Sequence, residues 1–102
     1  MKYRTGQTIN ENIVSLDKLN NPITGVTFDI MFFKNNSVAS GINYNLSLID
    51  SQRAIYNLQW SASTLGVYQF YAKNNVTEVI FMSDIYNVVD DDEASMTVYV
   101  GI

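Results

Sequence analysis

The 102-residue chain contains no cysteine and no histidine. Without cysteine there is no disulfide and no thiolate. Without histidine there is no side chain that titrates unperturbed between pH 5 and 8. The two absences together remove the usual base of a nucleophilic triad and the usual ligands of zinc. Proline occurs once, at Pro22. The five glycines, Gly6, Gly25, Gly41, Gly66 and Gly101, stand alone, so no glycine-rich phosphate loop is present. Charge is scarce at 16% of residues, with a net of −4. The six basic residues, Lys2, Arg4, Lys18, Lys34, Arg53 and Lys73, are spread along the chain, which argues against a nucleic-acid partner. Met1-Lys2-Tyr3-Arg4-Thr5-Gly6-Gln7 leads into no apolar run, and no stretch is long enough to span a bilayer. The expectation is a chain made in the cytoplasm with no signal peptide and no membrane partner.

What the chain does contain is apolar material, 47% of residues, in short alternating runs. That is enough for the core of one domain. Val26, Phe28, Ile30 and Phe32 alternate with Thr27, Asp29, Met31 and Phe33, the period of a strand. Ile42, Tyr44, Leu46 and Leu48 form the apolar side of a second strand, and Ala54, Tyr56, Leu58 and Trp60 that of a third. The first set and Leu46, Leu48, Leu58 and Trp60 are expected to line one core. Val67–Lys73 and Val76–Met82 read as a hairpin joined by Asn74-Asn75, since asparagine tolerates the positive φ of a type I′ turn. Asn12–Leu19 reads as a first strand, at an edge or bulged. Ile85–Val89 and Met96–Val100 flank an acidic break, Asp90-Asp91-Asp92-Glu93. Turns every eight to twelve residues predict seven to nine short strands in an antiparallel sandwich or small barrel.

Candidate chemistry is thin. Asp29, Asp84 and Asp90–Glu93 are carboxylates of the kind a glycosidase uses in pairs, but a sandwich this small has little material for a deep cleft. The acidic run lacks the spaced oxygen ligands of a calcium loop, and neighbours in extended backbone point opposite ways. It reads as a solvated loop. No catalytic residue, cofactor or metal site is expected. Tyr56, Trp60, Tyr68, Tyr71, Tyr86 and Tyr99 could stack on sugars, yet Tyr56 and Trp60 share a face with Ala54 and Leu58, as core residues do.

Partner contacts are the better-supported use of these residues. Phe32-Phe33 and Val79-Ile80-Phe81-Met82 are apolar on both faces, so one face of each needs a covering surface. Tyr71 lies with Val67 and Gln69, opposite Tyr68 and Phe70. Phe33 and Tyr71 are therefore candidate contact residues. Beyond the acidic break, Met96, Val98, Val100 and Ile102 fall on one side and Thr97 and Tyr99 on the other. Met96, Val98, Tyr99, Val100 and Ile102 are the second group of candidates, on a C-terminal arm or extra strand over residues 90–102. The same role is open to Met1–Gln7.

Ser63-Thr64-Leu65-Gly66-Val67-Tyr68-Gln69-Phe70 resembles the turn into the sixth strand of immunoglobulin-like domains. In that family the tyrosine of Gly-x-Tyr bonds back to loop backbone. The resemblance gives that role to Tyr68 and sets Phe70 where antibody domains carry their second cysteine. Thr5-Gly6 to Asn21-Pro22-Ile23-Thr24-Gly25-Val26 resembles the first hairpin of bacterial and phage immunoglobulin-like modules. The likeness covers about the first 89 residues. It departs from antibody domains in having no cysteine pair and in placing Trp60 too close to Tyr68 to be their core tryptophan. The chain looks more like the small cysteine-free immunoglobulin-like proteins of bacteriophage virions, which serve as head decoration, neck, tail or baseplate components. That resemblance implies one all-β, immunoglobulin-like antiparallel β-sandwich over residues 1–102, non-enzymatic and located in the virion. Its partners would be other virion proteins or copies of itself in a homo-oligomer. The alternative is a carbohydrate-binding or host-surface adhesion module.

Overall fold

The structure, a computed structural model, describes residues 2–90. Met96, Val98, Tyr99, Val100 and Ile102, with the arm over residues 91–102, lie outside the described residues.

Among the described residues there are nine strands and no helix. In chain order they are β1 (Lys2–Arg4), β2 (Ile9–Val14), β3 (Phe28–Lys34), β4 (Ser37–Ala39), β5 (Tyr44–Asp50), β6 (Ile55–Trp60), β7 (Gly66–Asn74), β8 (Ile80–Met82) and β9 (Tyr86–Val89). The larger sheet runs β1-β9-β7-β3-β4, with β8 also paired to β7. The smaller runs β2-β6-β5. This is the immunoglobulin-like order: β2, β6 and β5 take the places of strands B, E and D, and β3, β7 and β8–β9 those of C, F and G. All pairs are antiparallel except β1 with β9, where Lys2–Arg4 runs parallel to Asn87–Val89. Those N-terminal residues thus join their own sheet, so Lys2–Arg4 is no arm reaching to a neighbour.

β8 and β9 form one interrupted strand. Tyr71 faces Met82, but Tyr68 faces Tyr86, so three residues on one side oppose two on the other. The extra residue makes a β-bulge. Ser83 fills it: its Oγ accepts from Phe70 N at 2.9 Å, and its own N donates to Phe70 O at 2.9 Å.

Several expectations shift. The first strand after β1 is Ile9–Val14, not Asn12–Leu19, because the inward residues are Ile9 and Ile13, 2% and 0% exposed. It is an edge strand, as expected. The type I′ hairpin is at Asn35-Asn36, with φ of 50° and 66°, closed by Lys34 opposite Ser37. The short β4 that follows was not anticipated. Asn74 instead belongs to β7, and the loop after it turns on Glu78 at φ 65°. Strand β8 accordingly starts at Ile80 rather than Val76.

The core joins both sheets. Ile9, Ile13, Tyr56, Leu58 and Trp60 from the smaller meet Phe32, Tyr68, Phe70, Ala72, Tyr86 and Val88 from the larger. Val26, Phe28, Ile30 and Leu46 pack against this cluster but stay partly exposed. Leu48 does not join it and is 43% exposed.

Strand β7 organises this core. Its inward row is Tyr68, Phe70, Ala72 and Asn74, all at 2% exposure or less. The Tyr68 hydroxyl donates to Thr64 O at 2.9 Å, which is the tyrosine corner. Thr64 Oγ1 lies 2.8 Å from the same hydroxyl and accepts from Lys34 Nζ at 2.8 Å. At the other end, Asn74 Nδ2 donates to Ser15 Oγ at 3.0 Å, and its Oδ1 accepts from Val76 N and Thr77 N. Gly66 starts the strand at φ 155°, and a Cβ there would stand 2.9 Å from Lys34 Cε.

Two substitutions separate these roles. Tyr68→Phe removes the bond to Thr64 O and the contact with Thr64 Oγ1, both at the partly exposed rim, and should cost about 1 kcal/mol. Asn74→Ala strands the buried Ser15 hydroxyl and two loop N–H groups and should cost about 2–3 kcal/mol. Urea denaturation of both variants checks the order; an Asn74→Ala chain as stable as Tyr68→Phe would refute it.

Candidate functional site: the outer face of the larger sheet

The outer faces of the two sheets differ in the chemistry of their central rows. On the smaller sheet, Asn10 faces Gln59 and Asn45 faces Gln59, while Asn12 and Ser47 flank Asn57. These rows are uncharged amides and hydroxyls; Asn57 Nδ2 donates to Asn12 Oδ1 at 3.1 Å. On the larger sheet, one outward row is Met31, Tyr71 and Met82, and the next is Val38, Phe33 and Gln69. Val38 is 64% exposed, Met82 54% and Met31 37%. Val67, Ile80 and Ile85 extend the same apolar area.

Phe33 and Tyr71, the two described contact candidates, lie together at its centre. Their rings are 6.0 Å apart and tilted by 47°, and both are half-buried by neighbours on the sheet. Beside them, Phe33, Asn36, Val67, Gln69, Met82 and Ile85 surround a cleft of about 250 Å³. Asp29 and Lys73, paired across β3 and β7, bound the apolar rows at one end. An apolar, aromatic centre with a polar rim is a pattern that protein contacts share. The exposure of Val67, Met82 and Ile85 was not legible as one surface, because it depends on the bulge that brings Ile85 beside β7.

The sugar-stacking alternative loses most of its rings to the core. Tyr56, Trp60, Tyr68 and Tyr86 are between 2% and 7% exposed. Tyr44, at 45%, is open, beside a shallow polar cleft with Asn43, Asn45 and Gln59. Among the described residues no three acidic side chains gather as a metal site would require.

Two buried polar atoms, Trp60 Nε1 and Tyr86 Oη, have no hydrogen-bond partner of good geometry. Their rings meet edge to face, with centroids 5.4 Å apart. Burial first, and then the Glu11 carboxylate, hold the Tyr86 phenol well above the ordinary tyrosine range. Glu11, turned inward from β2, stands near enough to Tyr86 to act on it as a charge.

No family model matches the chain, and no curated protein matches it significantly.

The Tyr86 shift fixes a pH dependence. The folded protein keeps the phenol protonated where the unfolded chain, near pKa 10, releases it. That contribution is complete below about pH 10 and is lost as the pH rises toward the folded value. Tyr86→Phe should leave stability at pH 7 unchanged or raised, since it deletes an unpaired buried hydroxyl. It should also flatten the alkaline decline. Thermal melts of both chains between pH 8 and 12 measure this; equal alkaline slopes would contradict it.

Proposed function

We propose that this chain is a non-enzymatic structural component of a bacteriophage particle. In this reading it is an immunoglobulin-like module that binds copies of itself, or adjoining virion proteins, within a symmetric assembly. The observation that carries the reading is the exposed apolar face centred on Phe33 and Tyr71. Contiguous apolar area of this kind on a small sandwich marks a contact surface. The particle assignment is supported by the resemblance of the cysteine-free fold and its tyrosine corner to virion modules. A sandwich whose aromatics mostly fill its own core offers few platforms for glycans, which favours protein contact over adhesion to sugar.

The measurement is self-association of the purified chain by sedimentation. Phe33→Lys with Tyr71→Lys places two charges on the outer face without touching the core. The double variant should weaken association by at least about tenfold, the effect of 1.4 kcal/mol, with its melting temperature held. Undiminished association would remove the outer face from the contact. Glycan binding abolished by the same pair would favour the adhesion reading instead.

A further inference from the structure

The outer face of the larger sheet is ordered row by row. Across the strands it runs β4, β3, β7 and then β8 with β9. Asp29, Lys73 and Ile80 make one row, and Met31, Tyr71 and Met82 the next. Val38, Phe33 and Gln69 make the third. Gln69 has no paired residue on β8 or β9, because the bulge falls there. Its side chain lies over toward that bulge, with Nε2 donating to Ser83 O at 3.1 Å. The low floor so formed, between Phe33, Val67, Met82 and Ile85, is the cleft of about 250 Å³. On the opposite flank of the same row Val38 stands 64% exposed. The face therefore carries a hollow on one side and a knob on the other, each one strand out from the β3–β7 pair.

Asp29 and Lys73 hold opposite charges at facing positions of β3 and β7. They make no ion pair with one another. Asp29 Oδ1 accepts from Asn75 Nδ2 at 3.2 Å, and the Lys73 ammonium has no partner among the described residues.

We propose that a second copy of this chain packs on this face, outer sheet against outer sheet, about a two-fold axis that runs along the strands between β3 and β7. The proposal rests on the assembly reading above and names the partner and its register. A two-fold contact needs a patch that complements itself. This axis keeps each row level and exchanges β3 with β7, and β4 with the β8–β9 side. Asp29 of each copy comes to Lys73 of the other, twice per dimer. Met31 comes to Tyr71, a sulfur–aromatic contact. Phe33 comes over Gln69, and Val38 enters the hollow beside Met82 and Ile85. Stacked sheets keep their strands within about 30° at a spacing of about 10 Å, so side chains near the centre meet in these pairs.

Other arrangements fit less well. A two-fold axis across the strands, centred on Met31 and Tyr71, would set Asp29 on Phe33 and Lys73 on Gln69. Both charges would be buried without a partner. Two strand edges are also open. β5 is seven residues long, but its bulge between Leu48 and Asp50 limits the regular ladder to Tyr44–Leu48. β8 pairs only with β7 among the described residues, and its free edge is three residues, Ile80–Met82. A bulge and a short strand both discourage strand addition.

Sedimentation of full-length chains tests the register. Asp29→Lys and Lys73→Asp, each alone, bring like charges together twice in the dimer. Each should weaken self-association by at least about tenfold, with its melting temperature held. Mixed in equal amounts, the two variants should associate as wild type does, because opposite charges then face one another between copies. A charge pair acting only within one chain gives no such recovery, and neither does a loss of folding. Val38→Asp, which removes the knob at an exposed site, should also weaken association by at least about tenfold. No recovery on mixing, or single variants that associate as wild type does, overturns the register; if Phe33→Lys with Tyr71→Lys still weakens association, the outer-face reading stands. Association undiminished in all of these chains overturns both readings and points to the β5 or β8 edge. Wild type that stays monomeric at all concentrations overturns the second copy as occupant and leaves the face to a different protein.

Discussion

The structure depends on the inward row of β7. Tyr68, Phe70, Ala72 and Asn74 occupy alternate positions and all are buried. The two middle residues are apolar and sit in the dry centre. The two end residues are polar and spend their polar atoms on the loops that close the sandwich. Tyr68 holds the turn before its own strand; Asn74 reaches Ser15, just beyond β2, and so ties the two sheets together. One strand of nine residues thereby sets the spacing of the sheets and seals both ends. A chain without disulfides needs such a device, because its core alone must hold the sheets in place.

A second constraint follows from the unequal sheets. The larger has six strands and the smaller three. A three-stranded sheet cannot cover the full inner face of a six-stranded one, and the short β4 cannot cover β5 in return. Apolar side chains at that margin, Phe28, Ile30, Leu46 and Leu48, are left partly or largely open. The outer faces divide in the same way. The central rows of the smaller sheet carry uncharged amides, which water solvates well, with Val14 and Ile49 exposed at its margin. The larger carries Met31, Phe33, Tyr71 and Met82, which water does not. Both unsatisfied surfaces belong to a protein with few charges to keep neighbours away.

Much of this was legible in the sequence where the deciding interaction is local. The tyrosine corner joins residues four apart, and the Gly66-Val67-Tyr68 spacing announces it. The inward faces of β6 and β7 follow from period-two alternation alone. Phe33 and Tyr71 could be placed on an outer face because each neighbours a core residue, Phe32 and Phe70 respectively. The asparagine pairs show where local reading stops. Asn35-Asn36 and Asn74-Asn75 are identical dipeptides, and each follows an apolar strand and a lysine. Only the first makes a type I′ turn. Asn74 falls on the even-numbered inward row of β7, so its side chain is drawn between the sheets to Ser15, a residue 59 positions away. No window of sequence contains that partner. Leu48 failed for a related reason: its pattern is that of a core residue, but its burial depends on the length of β4.

The open surfaces carry a thermodynamic consequence. Any interaction made by the folded chain and not by the unfolded one adds to stability by mass action. Among the described residues, the apolar surfaces left open include the margin beside β5 and the outer face of β3, β7 and β8. Covering either would bury apolar area without disturbing the inward row of β7, whose end residues are bonded within one copy. Folding and association are therefore separable in this chain. The inward row of β7 and the core around it lie within one copy, while the exposed side chains are open to contact. That separation is what allows substitutions on the outer face, or along β5, to be read as changes in association rather than in folding.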